Sequence, residues 1–261
     1  MRTEMTVALA IVFLLAGCGS GDSARTEPAT EETTTAVIKS APAAAAGPTG
    51  TATISGIVRY EGDVPAMKTI RMDADPGCAK KHAAPVKSEV LVLGEGNTLG
   101  NVFIRVAGGL PDGSYPPPGD AVVIDQVGCR YRPRVLGVMA GQPLQILNSD
   151  GLLHNIHALP EVNKTFNTAM PASRTEATVT FDQPEGMFKI KCDVHPWMGA
   201  WISVMPHPFF DVTAGDGRFS LENLPAGSYE IEAWHEKLGA RTLTAEVADG
   251  QSVELEFIVK K

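Results

Sequence analysis

Cys192, His195 and Met198 stand in the order Cys-x2-His-x2-Met, and His154-Asn155-Ile156-His157 lies upstream of them. The Cys192 thiolate, the His195 imidazole with a second from the upstream pair His154 and His157, and the Met198 thioether form a soft donor set. Such a set suits a single copper ion, with the Cys and two His roughly trigonal and the Met as a long, weak axial ligand. Thiolate donates strongly to Cu(II), thioether favours Cu(I), and imidazole tolerates both. The chemistry expected is therefore one-electron exchange at a mononuclear type 1 copper site, with no substrate bond made or broken. Zinc is the rival ion, because one Cys and two His suit it, but a closed zinc site asks for a harder fourth donor than Met. A binuclear copper site would need a second Cys in the loop, and a catalytic second copper centre would need further histidines. His157 reads as a solvent- or partner-facing residue, and His82, His207 and His235 as surface or packing residues.

Strands must position these ligands. In Met187-Phe188-Lys189-Ile190-Lys191-Cys192 the alternation puts Phe188, Ile190 and Cys192 on one face and both lysines on the other. Cys192 thus ends a strand facing a core, where the chain turns into Asp193-Val194-His195-Pro196-Trp197-Met198. Alternation also marks Leu144/Ile146, Val179/Phe181, Ile202/Val204 and Val253/Leu255/Phe257/Val259, and Asp216-Gly217 and Asp249-Gly250 supply hairpin turns. With 26 Gly and 19 Pro among 261 residues and no long helical period, the fold class is all-β. The 22 basic against 30 acidic side chains give a net charge of 22 − 30 = −8, which argues against nucleic acid as a partner. No apolar run approaches the ~20 residues of a membrane-spanning helix.

The region from about Ala121 to Met205 resembles the cupredoxin (type 1 blue copper) family, most closely its amicyanin-like members. The resemblance rests on Ala121–Asp125, Tyr131-Arg132-Pro133, Ala140-Gly141, Asn148-Ser149-Asp150, His154-Asn155, Pro184-Glu185-Gly186 and Cys192-Asp193-Val194-His195-Pro196-Trp197-Met198-Gly199. It implies a Greek-key β-sandwich over residues 119–206, with His154, Cys192, His195 and Met198 as copper ligands. It also implies that Asn155 pins the two ligand loops together. Redox partners such as a c-type cytochrome or a quinoprotein dehydrogenase are implied in the same way. Pro196, Trp197, Leu152 and Leu153 are expected to surround the His195 edge as an apolar docking patch. Two other readings stand beside the electron carrier: a protein that binds copper and delivers it, and a surface module built on a degenerate cupredoxin.

Residues 207–261, with Asp211-Val212-Thr213, Asp216-Gly217-Arg218-Phe219-Ser220-Leu221 and Leu224-Pro225-Ala226-Gly227-Ser228-Tyr229, resemble the carboxypeptidase regulatory-like (transthyretin-like) β-sandwich. Its first strand is available at Thr53–Tyr60, so the copper-binding region is expected to be inserted into this smaller sandwich or packed against it. Trp234-His235 reads as core packing ahead of a ligand patch. Residues 51–118 are assigned to the same sandwich, although 66–118 give only irregular strands and loops.

At the N-terminus an apolar stretch from Val7 to Gly17 follows Arg2, the length of a signal-peptide hydrophobic region. Leu15-Ala16-Gly17-Cys18 resembles the bacterial lipoprotein signal, with residues 1–17 removed and Cys18 lipidated. Residues 18–50, poor in large apolar side chains, read as a disordered tether. The expected location is extracytoplasmic: anchored to a bacterial membrane by lipid, facing the periplasm or cell surface. Of the four cysteines, Cys18 would carry lipid and Cys192 a metal, which leaves Cys78 and Cys129 as the disulfide candidates in an oxidising compartment.

Overall fold

The structure is a computed structural model that describes residues 47–261. The expected signal segment 1–17, Cys18 and residues 19–46 of the tether lie outside the described residues. Residues 47–50, expected to belong to the tether, are instead bonded to the fold: Tyr115 donates to the Pro48 carbonyl at 3.0 Å, and the Gly50 N–H donates to the Asn223 carbonyl at 2.9 Å. Among the described residues no helix is long and apolar enough to cross a membrane.

Two β-sandwiches share the chain, and one interrupts the other. The outer sandwich pairs a three-stranded sheet, ordered Arg218–Leu224, Ala52–Glu61 and Ser252–Lys260, with a four-stranded one. The four-stranded sheet is ordered Phe210–Val212, Phe103–Gly108, Gly227–His235 and Gly239–Val247. Strands Phe103–Gly108 and Phe210–Val212 pair antiparallel, and every strand of the inner sandwich lies between them in the chain. Side chains alternate across Ala52–Glu61, so Ala52, Ile54, Val58 and Tyr60 are buried. Together with Ile104, Phe219, Ile231 and Phe257 they belong to the outer core, except that Tyr60 is buried outside that cluster.

The inner sandwich has a five-stranded sheet ordered Phe166–Met170, His154–Leu159, Glu185–Lys191, Gly199–Met205 and Val135–Met139. Facing it is a four-stranded sheet ordered Glu176–Thr180, Pro143–Asn148, Val122–Gln126 and Tyr131–Arg132. Their core contains Ile124, Leu144, Ile146, Ile156, Phe188, Ile190 and Ile202, and it continues into Cys192 and Met198.

The segment 51–118 does not belong wholly to the outer sandwich, as the sequence led us to expect. Its ends do, through strands Ala52–Glu61 and Phe103–Gly108, but its middle crosses over to the inner sandwich. There Met72 and Cys78 join the inner core, with Ile70 and Val86 packed against it. The crossing has a covalent basis, because Cys78 and Cys129 form a disulfide with Cα atoms 5.6 Å apart.

The two sandwiches meet across a small apolar cluster of Phe103, Val135 and Met205, against which Trp201, Phe210 and Trp234 pack. Gly137 allows the close approach: a Cβ there would come within 2.5 Å of the Phe210 ring. Arg134 clasps Glu236 with two hydrogen bonds, at 2.6 and 3.0 Å, and Trp201 Nε1 donates to the same carboxylate at 3.2 Å. Trp234 thus packs against Trp201, and His235 is buried beside it.

Candidate metal centre

Cys192 follows the strand Glu185–Lys191, and His154 opens the strand His154–Leu159 beside it in the same sheet. The turn after Cys192 closes on itself: the Met198 N–H donates to the His195 carbonyl at 2.9 Å, and the Cys192 N–H donates to the Met198 carbonyl at 3.3 Å. This short closure returns His195 to the end of the sheet, facing His154. The ligand atoms of His154, Cys192 and His195 all lie within 4.8 Å of one another. The two Nδ1 atoms are 3.0 Å apart, and Cys192 Sγ lies 3.9 Å from His195 Nδ1. His154 is 0% exposed, Cys192 2%, His195 2% and Met198 1%. Two other groupings of metal-ligating types include Cys78 or Cys129, whose sulfurs are already bonded to each other.

Carboxylates hold the outer edges of both rings. His154 Nε2 lies 2.9 Å from Asp150 Oδ2, and His195 Nε2 lies 3.0 Å from Asp75 Oδ2. An imidazole whose Nε2–H donates to a carboxylate presents the Nδ1 lone pair on its other side. Both lone pairs then point into one buried space, where two bare nitrogens 3.0 Å apart need a cation between them. Either a proton or a metal ion meets that need, and the adjacent thiol makes a soft metal the better match.

Asp150 is built into the wall. Its oxygens accept from the Gly128 N–H at 2.8 Å and the Cys129 N–H at 2.7 Å, and Lys81 Nζ approaches at 3.2 Å. Gly128 and Cys129 aim these N–H groups together by taking consecutive left-handed conformations, with φ of 62° and 50°. Burial would raise the Asp150 pKa, but the hydrogen bonds from His154, the two backbone amides and Lys81 hold it well below the usual carboxylate range. Burial pushes His154 down, yet Asp150 and Cys192 outweigh it and raise the imidazole to about 9. The Cys192 thiol is likewise pushed up by burial, and brought below its usual value by His154 and by backbone hydrogen bonds from Asn155, His195 and Val194.

Asn155 links the two ligand loops. Its Oδ1 accepts from Cys192 Sγ at 3.2 Å, the Asp193 N–H at 2.7 Å and the Val194 N–H at 3.4 Å. Its Nδ2 donates to Asn167 and Asp193, and Tyr131 donates to its carbonyl. His157 stands apart from the ligands, half-buried, with Nδ1 3.0 Å from Asp193 Oδ2. His82 Nε2 bonds to the Gly128 carbonyl at 2.8 Å. His207 and His235 are both buried in packing positions.

The expected docking patch takes a different form. The edge of His195 is covered by Asp75, by Cys78 Sγ at 3.6 Å and by the Trp197 ring, whose centroid is 4.9 Å away. Leu152 is half-buried against Gly77, and Trp197 is half-buried with Nε1 donating to the Cys129 carbonyl at 3.1 Å. Only Pro196 and Leu153 of the four face solvent, Leu153 at 50% exposure. The cover comes from the irregular segment around residues 70–86, in which no strand period announces a cap. Asp75 was not singled out from the sequence, and Asp150 was named only within the Asn148-Ser149-Asp150 motif, with no role at the site. For Asp150 a signal existed, because it precedes His154 by four residues.

No family model matches the chain, and no curated protein matches it. Among solved structures, a Cu(I) form of one amicyanin mutant is similar at 23% identity, over 33% of this chain and 82% of that one, with a TM-score of 0.30. Another amicyanin mutant in the Cu(I) form is 20% identical over 39% of this chain and 98% of that one, also with a TM-score of 0.30. A purple cupredoxin from Nitrosopumilus maritimus is 23% identical over 33% of this chain and all of its own, with a TM-score of 0.28. The similarity is one of shape in part of the chain, and the chemistry of the pocket stands on its own atoms.

Proposed function

We propose that this protein is an extracytoplasmic one-electron carrier with a single type 1 copper ion held by His154, Cys192, His195 and Met198. The observation that carries the reading is the convergence of His154 Nδ1, His195 Nδ1 and Cys192 Sγ in a space closed to solvent. When bound, copper supplies the Cu(I)/Cu(II) couple. The chain's own part is to keep the ligands in one arrangement for both oxidation states. Asp150 and Asp75 fix the two rings, Asn155 fixes the loops, and burial excludes water. With all four proposed ligands at most 2% exposed, a substrate has no open way to the ligand atoms, which favours a carrier over an enzyme. The same closure favours retention of the ion over delivery to another protein. On this reading the outer sandwich is a transthyretin-like scaffold, Cys18 carries a lipid anchor, and the partners are redox proteins outside the cytoplasm.

The test is a visible and electron-paramagnetic-resonance spectrum of the full chain after addition of one equivalent of Cu(II). An intense thiolate-to-copper band with a narrow hyperfine splitting is expected. A pale, ordinary Cu(II) spectrum would sink the proposal. A chelator challenge then separates carrier from donor: a carrier keeps its copper, and a delivery protein gives it up.

A further inference from the structure

Asp75 lies outside every strand, yet its carboxylate does two things at once. Oδ1 accepts from the N–H groups of Gly77 at 2.8 Å and Cys78 at 3.3 Å, capping the short helix Pro76–Ala79. Oδ2 takes the Nε2 of His195 at 3.0 Å. The cap is anchored from several sides. The disulfide joins Cys78 to Cys129, Lys81 Nζ donates to the Asp150 carbonyl at 2.8 Å, and His82 Nε2 meets the Gly128 carbonyl. The residues that grip the cap are thus the ones that orient His154, since Gly128 and Cys129 donate to Asp150. His195 is left with a carboxylate on its outer nitrogen, Cys78 Sγ beside it and the Trp197 ring nearby, at 2% exposure.

We infer that Asp75 is a positioning residue for the metal centre: from a disulfide-anchored cap it fixes the His195 ring and tautomer, so that Nδ1 faces His154 and Cys192. The inference rests on the copper reading for its purpose but not for its geometry. Carboxylates in this relation to a ligating imidazole raise its basicity, and their loss typically weakens metal binding 10–100-fold. The negative charge also favours Cu(II) over Cu(I), so its loss raises the reduction potential.

Asp75→Asn separates the two roles. Asn is as good a helix N-cap as Asp, so the cap persists, while the carboxylate at His195 is gone. Two readouts decide. Long-range proton–nitrogen spectra of the metal-free full chain report the His195 tautomer, and competition with a chelator reports the Cu(II) affinity. The expected result is wild-type thermal unfolding, loss of the fixed Nε2–H tautomer of His195, and Cu(II) binding weaker by about 10–100-fold. A variant with the wild-type tautomer and affinity would overturn the inference. Should Asp75→Asn not fold, Asp75→Ser, which also caps but lacks the carboxylate, is read by the same two measurements. The tautomer readout needs no metal. A wild-type chain that gave no thiolate band would therefore sink the copper reading and leave Asp75 to be judged on its tautomer control.

Discussion

His154 and His195 face each other through their Nδ1 atoms at 3.0 Å, each with its Nε2 held by a carboxylate, Asp150 for one and Asp75 for the other. The pairing makes the space between the rings attractive to a cation and hostile to vacancy. It also explains why the site requires both a buried sheet end and a covering segment: the sheet brings Asp150 within reach of His154, and only the cap brings Asp75 to His195.

Cys192→Ser is the sharpest test of the donor set. Serine is close to cysteine in size and its hydroxyl can donate to Asn155 Oδ1 as the thiol does. The fold should therefore persist, with a stability change of about 1 kcal/mol. A hydroxyl is a poor copper donor, so the intense visible band should vanish. Retention of that band would show that the thiolate of Cys192 is not its source.

Met198→Leu tests the axial position. Met198 is buried in the inner core, and a Met-to-Leu exchange conserves volume, costing less than about 1.5 kcal/mol. The colour should remain and the reduction potential should rise, because axial donation is lost. Voltammetry and the visible spectrum check this together. A variant unchanged in both would remove Met198 from the ligand set.

Removal of the disulfide by the double substitution Cys78→Ala and Cys129→Ala should destabilise the protein and loosen the cap. The sequence separation of 51 corresponds to about 4 kcal/mol of loop-closure entropy at room temperature. The denaturant midpoint should fall accordingly, and a chelator should strip copper faster than from the wild type. Equal stripping rates would show that the cap holds without its staple.

Strand alternation made the ends of the site legible and left its roof obscure. Phe188, Ile190 and Cys192 share a buried face because a strand's period is two and the intervening lysines tolerate solvent. The ligand types narrowed the chemistry before any geometry, since thiolate, imidazole and thioether seldom meet for another purpose. Asp75 was beyond such reasoning. It stands 120 positions before His195, in a segment held by a disulfide and a helix of four residues, so no period marks it. Leu152 and Trp197 looked like a docking patch because their apolarity is visible in the sequence, whereas the segment that covers them is polar and irregular. The strand Phe103–Gly108 lay within the stretch 66–118 that read only as irregular strands and loops; it pairs with partners more than 100 positions later, and local pattern carries no such distance.

Stability at mild acidity should depend on His207. Its Nε2 lies 3.1 Å from the Val106 carbonyl and its Nδ1 accepts from the Phe209 N–H at 3.3 Å, an arrangement that satisfies the neutral ring. Burial is the main reason its pKa drops to about 4; the Val106 hydrogen bond opposes the drop and Arg105 adds to it. In the unfolded chain the ring titrates near ~6.5. Between those two values the unfolded state binds a proton that the folded state refuses, so stability falls as pH drops below about 6.5 and levels off below the folded value. At about 1.4 kcal/mol per unit, this group alone removes roughly 3 kcal/mol across the window. Urea unfolding at several pH values should show the slope in the wild type, and His207→Gln should lack this part of it. Equal slopes in the two proteins would mean that His207 accepts a proton in the folded state as readily as in the unfolded one.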